Sequence, residues 1–228
     1  MKAVILGAGK STRLLPLTKE IPQSLLKVKD KAILEHQIEF LEKAGITDIT
    51  VVTGYLSNMI EEFLQDKKVK CLFNPFYSVS GMSMSLWVAK EELKEGFIFL
   101  YSDLLFEPSI ISKLINNKED ICLAIKKDGL REEAEKVIEK DGRILNISKA
   151  KLNDENGEFI GIAKFSKKGA KILIDELEKM AKEDISASFI TIIDKIIKEN
   201  RVCAYDIGKA KFLDIDFPED LEKAEKFL

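Results

Sequence analysis

Three places in this sequence bring together residue types that handle phosphates and divalent cations. The first is Gly7-Ala8-Gly9-Lys10-Ser11-Thr12-Arg13, which directly follows the apolar run Lys2 to Leu6. Backbone amides in a glycine-containing turn after a buried strand can cradle phosphate oxygens. Lys10 adds charge there, and Arg13 adds a planar fork suited to a phosphate. The second place is Asp103, just past the apolar stretch Phe97 to Tyr101. A carboxylate at the carboxyl end of such a strand points into the cleft where a ligand would lie. The third is the acidic segment Asp214, Asp216 and Asp220, close to the C-terminus. Magnesium takes few carboxylates plus phosphate and water oxygens, so two aspartates from separate strands would suffice.

Two familiar phosphate loops are excluded. A Walker A loop ending at Gly9-Lys10-Ser11 would need its first glycine at position 4, which is Val4. A dinucleotide fingerprint would need glycine or alanine where Thr12 stands.

The elements that must hold these residues read as alternating strands and helices. Lys2 to Leu6, Ile49 to Thr53, Val69 to Phe73 and Phe97 to Tyr101 have the short apolar character of buried strands. Between them, Ile33 to Lys43 is an amphipathic helix with Ile33, Leu34, Ile38 and Leu41 on one face. Asn58 to Leu64 and Ser85 to Leu93 are also helical. This alternation predicts a parallel sheet with right-handed crossovers. After residue 120 the pattern changes to strands at Ile121 to Lys126, Glu135 to Glu139 and Ile144 to Ser148. Turns fall at Asp128-Gly129 and Asp141-Gly142. Helices return at Lys168 to Lys182 and Phe189 to Glu199, then a strand at Arg201 to Asp206 and a helix from Pro218. The reading is one α/β domain over residues 1–228. The change of pattern near residue 120 divides it into a first part, 1–120, and a second, 121–228.

Composition narrows the class further. The chain has 36 Lys and Arg against 39 Asp and Glu, a net charge of −3, so no cation excess awaits a nucleic acid. Its three cysteines are scattered without metal-ligand spacing and read as reduced thiols. No apolar stretch approaches a membrane span, and the first residues are too short a run for a signal peptide; the expectation is a cytoplasmic protein. His36, the sole histidine, lies inside the first helix and reads as structural, and Trp87 reads as core.

The longer string Gly7-Ala8-Gly9-x-x-Thr12-Arg13-Leu14-x-Pro16-Leu17-Thr18, followed by Pro22, resembles the opening motif of the sugar-phosphate nucleotidylyltransferases. The resemblance implies a Rossmann-like nucleotidyltransferase fold, with a central mixed, mostly parallel sheet flanked by helices. It assigns Leu6, Gly7, Ala8, Gly9, Lys10, Ser11, Thr12 and Arg13 to the triphosphate. One departure stands out. The family usually has lysine after this proline, and this chain has Gln23, which can donate a hydrogen bond but supplies no charge. Lys27, Lys29 and Lys31 are the nearby cations able to compensate.

The same resemblance makes Asp103 and Asp216 the magnesium ligands, with Asp214 in reserve; Asp220 reads as favouring the following helix electrostatically. Phe73-Asn74-x-x-Tyr77 and Gly81-Met82-Ser83-Met84-Ser85-Leu86 resemble the base-binding segment of CTP:phosphocholine cytidylyltransferases. Gly81 and Ser83 are the expected base contacts there, and Met82 and Met84 the expected packing residues. Ile147-Ser148-Lys149-Ala150 and Gly157-Glu158-Phe159-Ile160-Gly161 are similar to cytidylyltransferases acting on phosphocholine, inositol phosphate and phosphonates. Lys149 falls where that family binds the acceptor phosphate, and Glu158 is placed toward the acceptor head group or at a strand edge. The implied reaction passes CMP from CTP to a small phosphorylated acceptor, with Arg13 and Lys149 as catalytic cations. Two alternatives remain: a hexose-1-phosphate uridylyl- or thymidylyltransferase, and a nucleotide-binding regulatory homologue weakened at Gln23. The expected partners are small molecules, with no nucleic acid or membrane; a homo-oligomer is left open.

Overall fold

The computed structural model describes residues 1–228. The chain opens with β1 (Lys2–Gly7), a ribbon of β2 (Lys27–Val28) and β3 (Lys31–Ala32), α1 (Ile33–Lys43), β4 (Ile49–Thr53), α2 (Ser57–Leu64) and β5 (Val69–Phe73). Next come α3 (Met82–Val88), α4 (Lys90–Leu93), β6 (Phe97–Tyr101), β7 (Leu104–Phe106) and α5 (Pro108–Asn116). The second half contains β8 (Ile121–Lys126), β9 (Glu135–Lys140), β10 (Arg143–Ser148) and β11 (Gly157–Phe165). It ends with α6 (Lys167–Glu183), α7 (Phe189–Ile196), β12 (Cys203–Asp206), β13 (Phe212–Asp214) and α8 (Pro218–Phe227).

Nine strands join one mixed sheet in the order β5-β4-β1-β6-β11-β8-β12-β10-β9. The first four run parallel, as apolar strands separated by helices dictate. β11 then lies antiparallel between β6 and β8, and all nine of its residues are buried. Side chains alternate across the sheet. Ala3 and Ile5 enter the core under α1, α2, α5 and α8, while Val4 and Leu6 enter the core under α3, α6 and α7. The single helix expected over Ser85 to Leu93 is two helices meeting at Ala89, and the first begins earlier, at Met82.

A smaller ribbon matters more for the site. β7 pairs antiparallel with β13, Leu104 opposite Asp214, and the Ile215 amide donates to the Asp103 carbonyl at 3.0 Å. Residues more than a hundred positions apart are thereby fixed side by side at the carboxyl end of β6. Gln37, buried in α1, braces the turn by donating to the Tyr101 and Leu104 carbonyls, each at 2.9 Å.

Candidate active site

A cleft opens where β1 and β6 end, and besides the wall formed by Asn74, Tyr77, Gly81 and Met82 three parts of its lining carry charge or phosphate-binding backbone. The first is the loop after β1. Leu6, Gly7, Ala8, Gly9, Ser11 and Arg13 face the cleft, whereas Lys10 and Thr12 do not. The loop is internally fixed: Ser11 takes a left-handed conformation, and its carbonyl accepts from the Thr18 hydroxyl at 2.9 Å. Lys10 and Thr12 fall on its outer side. Both residues, expected at the triphosphate, are exposed on the loop and do not line the cleft.

The second part is a carboxylate cluster. Asp103, Asp214 and Asp216 each offer an oxygen, and these oxygens lie within 4.8 Å of one another. Two cations attend them. Arg13 pairs with Asp216, and Arg131 pairs with Asp214 at 3.2 Å. Asp103 has no such partner, and its Oδ1 is buried without a hydrogen bond. Burial pushes the Asp103 carboxyl well above the usual carboxylate range, and the charges of Asp214 and Asp216 push it further. Burial, then the neighbouring Asp216, lifts Asp214 to about 6 against the pull of Arg131. Asp216 is raised by burial also, with Arg13 and Arg131 opposing. Three crowded carboxylates, one with an orphaned buried oxygen, are a donor set suited to a hard divalent cation. Asp220 accepts the amides of Asp216 and Phe217 at 3.1 and 2.9 Å, and so orients Asp216 as well as starting α8.

The third part is the far wall, made of Tyr101, Arg131, Glu133, Glu135, Lys149, Phe159 and Gly161. Gly161 is required where it stands. Its φ is +77°, and a Cβ there would lie 2.7 Å from the Tyr101 ring. Lys149 lines the cleft from an exposed position beyond β10. Burial raises Glu135 to about 7, although the Tyr101 hydroxyl donates to it.

Several expected residues stand elsewhere. Glu158 lies on a central strand, not an edge, and its side chain is 1% exposed. It accepts the Arg131 backbone amide at 2.7 Å and the guanidinium Nε at 3.1 Å. Strand alternation turns Phe159 to the cleft instead, so Glu158 anchors Arg131 and meets no acceptor. Ser83 is buried and outside the cleft, its amide donating to the Ala187 carbonyl at 3.2 Å. Gly81 does line the cleft, but its amide is committed to the Ile185 carbonyl at 2.8 Å. A Cβ at Gly81 would sit 2.2 Å from the Ser186 carbonyl, so close packing explains this glycine without a base contact. Met82 lines the cleft rather than serving only as packing, while Met84 is core.

Gln23 is buried at the floor of the cleft. Its Oε1 accepts from the Ser11 hydroxyl and its Nε2 donates to the Ile215 carbonyl. None of Lys27, Lys29 and Lys31 lines the cleft, so none replaces a missing charge there. His36 binds the Val28 carbonyl at 3.0 Å, and Trp87 packs outside the cleft beneath Lys90. Arg131 and the Tyr101–Glu135 pair escaped the sequence reading. Arg131 looks like one more charge in a polar turn, and only the tertiary pairing gives it a role.

The MobA-like NTP transferase domain family matches residues 3–183. The chain is 30% identical to a CTP:phosphoglutamine cytidylyltransferase of Campylobacter jejuni, over 97% of this chain and 98% of that one. It is 27% identical to a choline-phosphate cytidylyltransferase of Streptococcus pneumoniae, over 100% and 98% of the two chains. Its fold matches that of an inositol-1-phosphate CTP transferase from T. maritima with a TM-score of 0.84. That match has 23% identity and covers 99% of this chain and 95% of the other.

Proposed function

The chain belongs to the MobA-like NTP transferase family and is a nucleotidyltransferase, and from that premise we propose that it transfers CMP from CTP to a small phosphorylated acceptor with magnesium as cofactor. The observation that carries this reading is the convergence of Asp103, Asp214 and Asp216 beside the glycine loop in one cleft. The full-length similarity to two cytidylyltransferases favours CTP as donor.

Asp103 and Asp216 are the proposed ligands. Asp214 is held by Arg131, which is itself anchored in buried Glu158, whereas the Arg13 partner of Asp216 is half-exposed and free to turn to phosphate. Magnesium bound there neutralises charge on the phosphates and helps to orient them. The chain's own residues do the rest. The loop amides and Arg13 hold the triphosphate, and Lys149 holds the acceptor's phosphate. An acceptor phosphate oxygen then forms a bond to the α-phosphorus as the bond to the departing pyrophosphate breaks. Both reactants are anionic, so positioning and charge neutralisation are the main catalytic demands.

The test is pyrophosphate release with magnesium across ATP, GTP, CTP, UTP and dTTP, each against phosphocholine, inositol 1-phosphate, 2-aminoethylphosphonate and glucose 1-phosphate. Release that needs CTP and one acceptor supports the reading. Turnover with UTP or dTTP and the hexose phosphate, but none with CTP, overturns the cytidylyl assignment. Saturable nucleotide binding with no release from any pair overturns transfer and favours the regulatory role suggested by Gln23.

A further inference from the structure

Within the cleft, the far wall carries a carboxylate that the transfer chemistry does not use. Glu135 opens β9, directly opposite Phe159 of β11, so the two side chains share the face that looks into the cleft. The Tyr101 hydroxyl donates to both Glu135 oxygens, at 3.1 and 3.0 Å. The Tyr101 ring meets the Phe159 ring edge-on, 5.9 Å between centroids at 80°. No lysine or arginine forms an ion pair with Glu135, in contrast to Asp214 and Asp216, each held by an arginine. A carboxylate has about four acceptor sites, and one phenol leaves most of them unfilled. Keeping such a group largely out of water with no cation bonded to it is costly, and a ligand that brings a hydrogen-bonding cation lowers the cost.

The neighbour across the hairpin is the opposite charge. β9 and β10 pair Lys136 with Ser148, and Lys149 follows directly after β10, near enough for its charge to act on Glu135. An anion and a cation thus stand side by side at the end of one hairpin, both lining the cleft, next to an aromatic pair.

Resting on the transfer reading above, we infer that the acceptor is a zwitterion: its phosphate or phosphonate meets Lys149, and an ammonium a few bonds away sits against Glu135, Tyr101 and Phe159. A neutral polyol or sugar phosphate gives Glu135 no counter-charge. An ammonium supplies N–H donors to the carboxylate and a cation to the Tyr101 and Phe159 rings. Glu135 is then the residue that determines acceptor specificity, the role expected of Glu158.

The test compares 2-aminoethyl phosphate with 2-hydroxyethyl phosphate, which differ only by amine against hydroxyl. Binding to the full chain is measured by calorimetry with magnesium and a non-hydrolysable CTP analogue present, and turnover is measured separately. The expected result is about thirtyfold tighter binding of the amine, the factor a charge-assisted hydrogen bond gives. Glu135→Gln should erase that preference while leaving 2-hydroxyethyl phosphate and the nucleotide bound within about threefold of the parent. Equal affinity for the two probes, or a Glu135→Gln loss shared equally between them, overturns the inference. Selective amine binding without pyrophosphate release from any pair would sink the transfer reading and leave the ammonium subsite standing.

Discussion

Gln23 donates its side-chain amide to the backbone carbonyl of Ile215, the residue lying between Asp214 and Asp216. Its other end accepts from Ser11 of the glycine loop, so one side chain ties the phosphate-binding loop to the carboxylate strand. It therefore fixes the distance between two parts of the site without contributing charge. Two substitutions separate these properties. Gln23→Met keeps the volume and loses both bonds; unfolding by urea should show a loss of about 1–3 kcal/mol, with a higher KM for the triphosphate. Gln23→Lys keeps a donor for Ile215 and adds a cation beside the phosphates, and kcat should rise about tenfold. A fall in kcat as deep as that of Gln23→Met would mean that the tie limits the rate, not the missing charge.

Asp103 should trade stability for activity. Its buried Oδ1 lacks a hydrogen bond, and two other carboxylates crowd it. In Asp103→Asn the amide can donate to those neighbours and removes one charge, so the metal-free protein should gain about 1–2 kcal/mol in thermal or urea unfolding. Magnesium-dependent turnover should fall by more than about a hundredfold. An inactive variant that is also less stable would mean that Asp103 is well satisfied in the folded chain.

The raised carboxyls also set a pH dependence for the metal-free protein. Folding lifts Asp214 from 3.8 to about 6 and Glu135 from 4.5 to about 7, so the folded chain binds these protons more tightly than the unfolded chain. Stability must then fall as pH rises from about 4 to about 7, by about 3 kcal/mol for Glu135 alone. Surface carboxylates lowered by ion pairs, such as Glu92, act mainly below this window. Urea titrations with chelator at pH 5 and pH 7 should show the drop, and magnesium should offset it at pH 7. Stability that rises across this interval would contradict the assignment.

Much of the framework is written in local pattern. The runs Ala3 to Leu6 and Phe97 to Tyr101 are apolar segments ending at Gly7 and at Ser102-Asp103, and both form neighbouring central strands. Ile33 to Lys43 carries its helical period within eleven residues and has the expected bounds. What escaped is non-local. β7 and β13 have three residues each, too few for a period, and they exist as strands because they pair with each other. The polarity of Glu158 gave no sign that β11 is inserted between β6 and β8, where a charge survives only by meeting Arg131. Gln23 could be read as a departure, but its bond to Ile215 spans 192 positions and follows only from the ribbon that brings Asp103 and Asp214 together.

Arg131 is the residue on which the far wall depends most. It binds Glu158 through its backbone amide and Nε, reaches Asp214 with Nη1 at 3.2 Å, and lies 5.1 Å over the Phe212 ring. Arg131→Ala would leave Glu158, 1% exposed, as a buried charge with no cation, so about 3–5 kcal/mol of stability should be lost. Arg131→Lys should recover little of it, because an ammonium cannot span two carboxylates with a planar fork. The double variant Arg131→Met with Glu158→Gln removes both charges together and should regain most of the stability, since the cost lies in the orphaned ion. Its activity should stay low, because Asp214 loses its arginine and is free to swing among the carboxylates around Asp103. Recovery of turnover along with stability would mean that Arg131 serves the fold alone.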